Sequence, residues 1–278
     1  MQSALASLDR DRLPEFRVEP KNNMQTIFRD GKIVVLAMDH AAYMPVTGLT
    51  YPGEIIKQMH PHLDAFLVNF GVANTFREEL SDKAVLLRAD TENVHHGRPT
   101  ESFPVLCYDA SDAVAVGAHA LVAMCYTGHP GEPEMRRNVA KLVSSASSAG
   151  LPVMVESLPL GLGRTEHYTP ENVSYAARLV AELGANIAKI PYTGDINSFR
   201  QVVENSFIPI VVLGGSKEDD DLGFLKSIAD AMTAGAAGVA IGRNIWGHAE
   251  PPKMAACVSS IVHENATAQD AYDQHMVN

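Results

Sequence analysis

Short apolar runs recur along the chain, at residues 33–38, 65–69, 84–88, 120–125, 153–156, 187–190, 208–213 and 238–241. Each is too short to be a helix and too continuously apolar to be a strand with one wet face. Buried parallel strands read this way. A polar or glycine-containing turn follows each run, and helical patterns fill the gaps between them. Residues 109–117 form one, with Asp109 or Ser111 as its cap. Thr169, Pro170 and Glu171 open another in the order that a first turn prefers, cap residue, proline, acid, and Gly184 stops it. Residues 216–235 and 251–263 are two more. Strands alternating with helices imply a parallel α/β fold. Eight such units predict a closed (β/α)8 TIM barrel rather than an open sheet, with residues 31–278 as a single catalytic domain. Residues 1–30 read as a short N-terminal extension that packs across the barrel or on a neighbouring subunit.

Composition narrows the class of partner. The chain has 278 residues, 46% of them apolar, enough for one sizeable core. Its formal net charge of −11 argues against a nucleic-acid or anionic-membrane surface, since both need basic patches. A small anionic substrate remains open, because a few local donors can hold one phosphate. Cys107, Cys125 and Cys257 are odd in number and show no CxxC spacing, so neither a disulfide framework nor a zinc knuckle is expected. The first 20 residues are mixed and charged, without an apolar signal region, and no apolar run approaches the ~18 residues of a membrane span. A cytoplasmic protein is expected.

Barrel enzymes carry their chemistry at the C-terminal ends of the strands. Here those ends supply Asp39 and His40, Asn69, Arg88 and Asp90, Cys125 and Tyr126, Glu156, Lys189 with Tyr192, Gly214 and Gly215, and Gly242 and Arg243. Lys189 is the sharpest of them. A lysine where a buried strand ends is partly desolvated, which favours the neutral amine that attacks a carbonyl. The resulting iminium is an electron sink, so a neighbouring C–C bond can break or form. A structural lysine paired with Asp39 or Glu156 would occupy the same position.

The segment Gly214-Gly215-Ser216-Lys217 reads as a strand end, a glycine pair and a helix start, and Gly242-Arg243-Asn244 repeats the design one unit later. Glycines let backbone N–H groups approach an anion, and an arginine can fork onto phosphate oxygens. The loops after strands 7 and 8 are the usual phosphate site of such barrels. No HxH or HExxH occurs to support a metal at Asp39 and His40. The histidine pair His95-His96 lies in a polar loop and is read as solvated. Asp39 is a carboxylate that orients the lysine or moves a proton, or else a buried partner of Lys189 or Arg88. Glu156, Tyr126 and Tyr192 are candidates for proton transfer, with ordinary hydrogen bonding in a packed mouth as the alternative for each. His129 is the remaining histidine placed at the mouth.

These residues resemble the class I, Schiff-base aldolase group that includes archaeal-type fructose-bisphosphate aldolase, deoxyribose-phosphate aldolase relatives and the autoinducer-2 phosphate thiolase. The resemblance runs over residues 33–272. It is strongest at Ala37-Met38-Asp39-His40, at the segment from Ala188-Lys189 to Asp195, at Leu213 to Lys217, and at Gly235 to Trp246. It implies that Lys189 is the Schiff-base lysine and Asp39 the strand-1 carboxylate. It places a substrate phosphate on Gly214, Gly215, Gly242 and Arg243, with Ser216 and Lys217 nearby. His40, Arg88 and Tyr192 join the expected substrate-binding set, and Glu156 and Tyr126 the catalytic set. No cofactor and no metal are implied, and the group's members are homo-oligomers, often decamers. One departure matters. The archaeal aldolases carry a Trp-x-Tyr-Pro-Arg-Gly pattern after strand 5, where this chain has Glu156-Ser-Leu158-Pro-Leu160-Gly161. The loss of the tyrosine and the arginine argues against fructose bisphosphate as the main substrate. The leading expectation is an aldolase acting on a phosphorylated ketose or keto compound. An acetyl-transferring thiolase that uses coenzyme A on a phosphorylated dione, suggested by the C-terminal segment, and a non-catalytic phosphosugar-binding barrel stand beside it.

Overall fold

The computed structural model describes residues 23–44, 46, 48–92, 102–215, 217 and 219–277. The eight apolar runs become eight strands: β1 (Ile33–Ala37), β2 (Ala65–Val68), β3 (Ala84–Arg88), β4 (Ala120–Thr127), β5 (Val153–Pro159), β6 (Ile187–Ile190), β7 (Ile210–Leu213) and β8 (Gly238–Ile241). They pair in parallel, each with its neighbour in sequence, and β8 pairs with β1 to close the barrel. One main helix follows each strand: α1 (Pro52–Met59), α2 (Phe70–Thr75), α3 (Ala110–Val116), α4 (Glu132–Ser148), α5 (Pro170–Glu182), α6 (Ile196–Asn205), α7 (Asp221–Thr233) and α8 (Pro251–Glu264). A small antiparallel ribbon, Asp90–Thr91 against Val105–Leu106, stands beyond the end of β3.

The expected (β/α)8 TIM barrel is therefore the fold, and local chemistry explains its helix ends. Asp109 caps α3 in a reciprocal capping box with Asp112, and Gly117 closes the helix in the left-handed conformation. Thr169 caps α5, with Pro170 at its first position. The helix after β7 differs from expectation. It starts at Asp221, capped by Asp220, and not at residue 216. The Asp220 side chain accepts the Gly223 N–H at 3.0 Å, which fixes the helix start there.

Strand alternation divides the apolar residues into two layers. Ile33 and Val35, Ala65 and Leu67, Ala84 and Leu86, Ala120 and Val122, Met154, Ile187, Val211 and Ala240 fill the barrel interior. Val34, Leu36, Phe66, Val85, Leu121 and their counterparts face the helices. Of the expected extension, residues 1–22 lie outside the described residues. Asn23–Ile27 is a short helix that buries Ile27 against the inner layer, with Met24 and Phe28 beside it. Among the described residues no helix is long and apolar enough to cross a membrane. The three cysteines are free, Cys125 and Cys257 buried and Cys107 exposed.

Candidate active site

Stepping by two along the inner face of each strand leads from the apolar layers to the charged mouth. Leu86 is followed by Arg88, Met154 by Glu156, Ile187 by Lys189, Val211 by Leu213, and Ala240 by Gly242. Glu156 and Lys189 are direct partners in the β5–β6 register. Their side chains therefore leave the sheet side by side, and Lys189 Nζ donates to Glu156 Oε2 at 2.9 Å. Arg88 Nη2 donates to the same oxygen at 2.7 Å, and Arg88 Nε to Asp39 Oδ2 at 2.6 Å. Asp90 Oδ1 lies 3.5 Å from Arg88 Nη1, and Asp90 Oδ2 accepts the Met124 N–H at 2.6 Å. Asn69, at the end of β2, holds the Asp39 carbonyl at 2.8 Å. Arg88 thus joins three carboxylates, one of which it shares with Lys189.

Burial sets how these groups titrate. It would push Glu156 up, but the Lys189 and Arg88 charges and hydrogen bonds outweigh it and hold the carboxyl at about 2. Asp90 is pushed up to about 6 by burial, which Arg88 and the Met124 N–H only partly offset. Glu92 rises to about 7 for the same reason, despite accepting the Tyr126 hydroxyl proton. The Tyr126 phenol is itself driven well above its ordinary value by burial and by the Glu92 charge.

A cavity of about 350 Å³ opens above this cluster. Asp39, His40, Glu156 and Lys189 line its charged side, and Gly214, Gly215, Gly242 and Arg243 line another. Gly242 is needed for close approach: a Cβ there would sit 2.6 Å from the Ala37 carbonyl oxygen. Arg243 Nη2 donates to the Gly215 carbonyl at 2.9 Å, and Asn244 Nδ2 to that of Gly214 at 2.7 Å, so the two glycine loops are tied together.

The expected residues do not all meet here. Arg88 is 1% exposed and lies beneath the cavity without lining it, so its place is to hold the carboxylates and not the substrate. Tyr126 points inward by alternation but is 1% exposed and bonded to Glu92, off the cavity wall. Tyr192 lines a neighbouring cavity that shares Gly214 and Gly215 with the first, and its ring stacks edge-on against Phe199. Lys217 does not line the main cavity either, and the later start of α7 removes the helix terminus expected beside it. Ser216 and the pair His95-His96 lie outside the described residues. His129 is buried, with its Nδ1 accepting the Gly131 N–H at 2.9 Å, and is not part of the wall. Sequence reasoning missed Tyr43 and Tyr168, both of which line the cavity. Tyr43 was discoverable, since its i, i+3 spacing from His40 stacks the two on a tight turn. Tyr168 reaches the site through an irregular loop that carries no periodic signal, and its hydroxyl donates to the Gly161 carbonyl at 2.9 Å.

The chain and its barrel are matched in known proteins. Residues 33–248 match the DeoC/LacD family aldolase description. An uncharacterized aldolase of Saccharolobus solfataricus is 32% identical over 260 residues, covering 89% of this chain and 96% of that protein. The 2-amino-3,7-dideoxy-D-threo-hept-6-ulosonate synthase 1 of Archaeoglobus fulgidus is 32% identical over 268 residues, 92% of this chain and 96% of that one. A solved Schiff-base-forming fructose-1,6-bisphosphate aldolase superposes with a TM-score of 0.80 at 29% identity, covering 87% of this chain and 98% of its own. An archaeal fructose-1,6-bisphosphate aldolase, solved with its catalytic lysine covalently bound to the carbinolamine intermediate, gives 0.78 at 28%, covering 86% and 98%. Of these, the two solved fructose-1,6-bisphosphate aldolases are described as forming a Schiff base and as carrying a covalent adduct on the catalytic lysine. A closed barrel with a lysine at its mouth, matched from β1 to the turn beyond β8, makes this chain a carbon–carbon lyase of class I and a member of the DeoC/LacD aldolase family.

Proposed function

We propose that Lys189 forms the Schiff base and that the substrate is a compact phosphorylated keto compound other than fructose bisphosphate. The observation that carries this reading is the Lys189–Glu156 contact on the cavity wall, with Arg243 and the glycine loops on the same cavity. Lys189 attacks the ketone, and Asp39 assists carbinolamine formation. Glu156 then accepts the proton of the hydroxyl beside the breaking bond. It is favoured over Tyr126 because it lines the cavity. It also becomes a better base as the reaction proceeds, because the iminium charge that holds its pKa down disappears when the enamine forms. The phosphate is held by the N–H groups around Gly214, Gly215 and Gly242 and by the Arg243 fork. The case against fructose bisphosphate is Leu158: it lines the cavity at the position of the family's tyrosine and can move no proton.

Borohydride trapping with a panel of phosphorylated ketoses and diones, read by intact mass and peptide mapping, tests the reading. A ligand-dependent adduct on Lys189 is expected, lost in Lys189→Met, and its mass identifies the substrate class. Turnover of a dione that requires coenzyme A would favour the thiolase alternative. No adduct across the panel would overturn the assignment of Lys189.

A further inference from the structure

His40 follows Asp39 on the short turn after β1 and lines the cavity together with Lys189 and Arg243. Its Nδ1 is 3.1 Å from the Tyr43 hydroxyl. Either the ring N–H donates to the phenol oxygen, or the phenol donates to a bare nitrogen. Burial decides between them. Tyr43 is 6% exposed, and burial, reinforced by the Asp39 charge, drives its pKa well above the ordinary value, so it keeps its proton. Among the described residues Nδ1 is the one partner of that hydroxyl, and a buried O–H without an acceptor costs about 1–3 kcal/mol. The phenol therefore donates to Nδ1, and the ring's own proton sits on Nε2. A second proton is disfavoured: burial first, and the Arg243 charge after it, bring the imidazole down to about 4 against smaller opposing effects of Asp39 and Glu156. Nε2 is buried and, among the described residues, has no hydrogen-bond partner. A buried N–H on a cavity-lining residue calls for an acceptor supplied by a ligand.

The geometry points to His40 as a neutral hydrogen-bond donor to the oxygen of the carbonyl that Lys189 attacks, with Tyr43 as the positioning residue that fixes the donor's tautomer. The inference rests on Lys189 being the Schiff-base amine. In the addition step the lysine nitrogen bonds to the carbonyl carbon and the C=O π pair moves onto oxygen. The proton that neutralises this oxygen is the one leaving the amine, by way of the Glu156 carboxylate. His40 keeps its own proton throughout and stabilises the charge as it develops, as other neutral histidines polarise carbonyls.

Two measurements test it separately from the assignment of Lys189. Imidazole ¹⁵N NMR of the full chain, with His40→Gln as the assignment control, should show Nε2 protonated and Nδ1 bare at neutral pH, and Tyr43→Phe should lose that preference. A ring protonated at Nδ1, or at both nitrogens, would overturn the inference. The rate of reductive trapping of dihydroxyacetone phosphate on Lys189 should fall about 100-fold in His40→Ala, as for loss of one preorganised donor. It should stay within about 10-fold of the parent in His40→Gln, whose amide N–H reaches the place of Nε2. Equal trapping rates in His40→Ala and the parent would refute the role of His40 while leaving Lys189 in place. Absence of any adduct on the parent, with dihydroxyacetone phosphate and across the panel of phosphorylated ketoses and diones, would remove the Lys189 assignment and the role of His40 with it, whatever tautomer the spectrum shows. Circular dichroism of both variants separates lost chemistry from lost folding.

Discussion

Asp39, Asp90 and Glu156 converge on Arg88 at the nearly buried floor of the cavity, and Lys189 shares one of their oxygens. A lone carboxylate would not stay ionised there. The guanidinium bonds two of them, Asp39 and Glu156, and stands 3.5 Å from Asp90, because its fixed fork spreads one charge over several donors in one plane. Its removal would leave three acids facing a single ammonium. Arg88→Met, of similar length and without charge, should cost about 3–5 kcal/mol in urea-induced unfolding, and a loss below about 1 kcal/mol would show that the cluster does not depend on Arg88. At this scale the sequence was partly readable. Arg88 and Lys189 stand at the ends of their strands, Asp39 just beyond the end of β1 and Glu156 midway along β5, and two-residue alternation places them inward together. Which of them touches a ligand was not readable. Arg88 and Tyr126 have the same strand-end signature as Lys189, and only the packing of the neighbouring ribbon and loops takes them off the wall. His40 and Tyr43 belong to the same lesson: one was legible as a neighbour of Asp39, but its tautomer depends on a phenol that no motif marks.

At the scale of elements, the short apolar runs marked every barrel strand within three residues at either end, because strands buried on both faces have few polar positions to confuse the pattern. Helices were legible where a cap residue and a proline or a glycine stand together, as at Asp109 and Thr169. The start of α7 was misplaced because a glycine pair before Ser216 imitates a strand-to-helix turn, while the acids that cap the helix come several residues later. The closure of the barrel depends on β8, and there Gly238 is the critical position. Its φ of 146° is one that side chains rarely adopt, and an added Cβ would lie 2.0 Å from the Ile33 carbonyl oxygen on β1. No flexible side chain can yield, because the obstacle is the neighbouring strand's backbone. Gly238→Ala should therefore destabilise the chain by about 3 kcal/mol, seen as a lower Tm. An unchanged Tm would mean that the β8–β1 seam is looser than the register of Ile33 with Gly238 implies.

For the molecule as a whole, the acids around the mouth couple stability to pH in opposite directions. Glu156 is held at about 2, below the ordinary glutamate value of 4.5, so it stabilises the fold above that value and its contribution fades as pH falls toward 2. Glu92 behaves in the reverse sense. It titrates near 7 in the folded chain and near 4.5 when unfolded. Between those values the folded state holds a proton that the unfolded state has released, so stability falls as pH rises through the window and levels off above it. Asp90, raised to about 6, adds to the same trend. Glu92 and Asp90 therefore contribute less stability at neutral pH than at mildly acidic pH, while His40, held at about 4, contributes in the opposite sense between that value and its ordinary 6.5. Glu92→Gln keeps the side chain's size and its oxygen for the Tyr126 hydroxyl but cannot ionise. Urea unfolding of parent and variant at pH 5 and pH 8 should show the variant gaining on the parent by more than about 1 kcal/mol across the interval, the equivalent of less than one unit of the shift. A difference between the two chains that does not change with pH would mean that Glu92 is already ionised in the folded state. Its bond with Tyr126 would then be a charged one, and the tyrosine would be tied to it still more firmly.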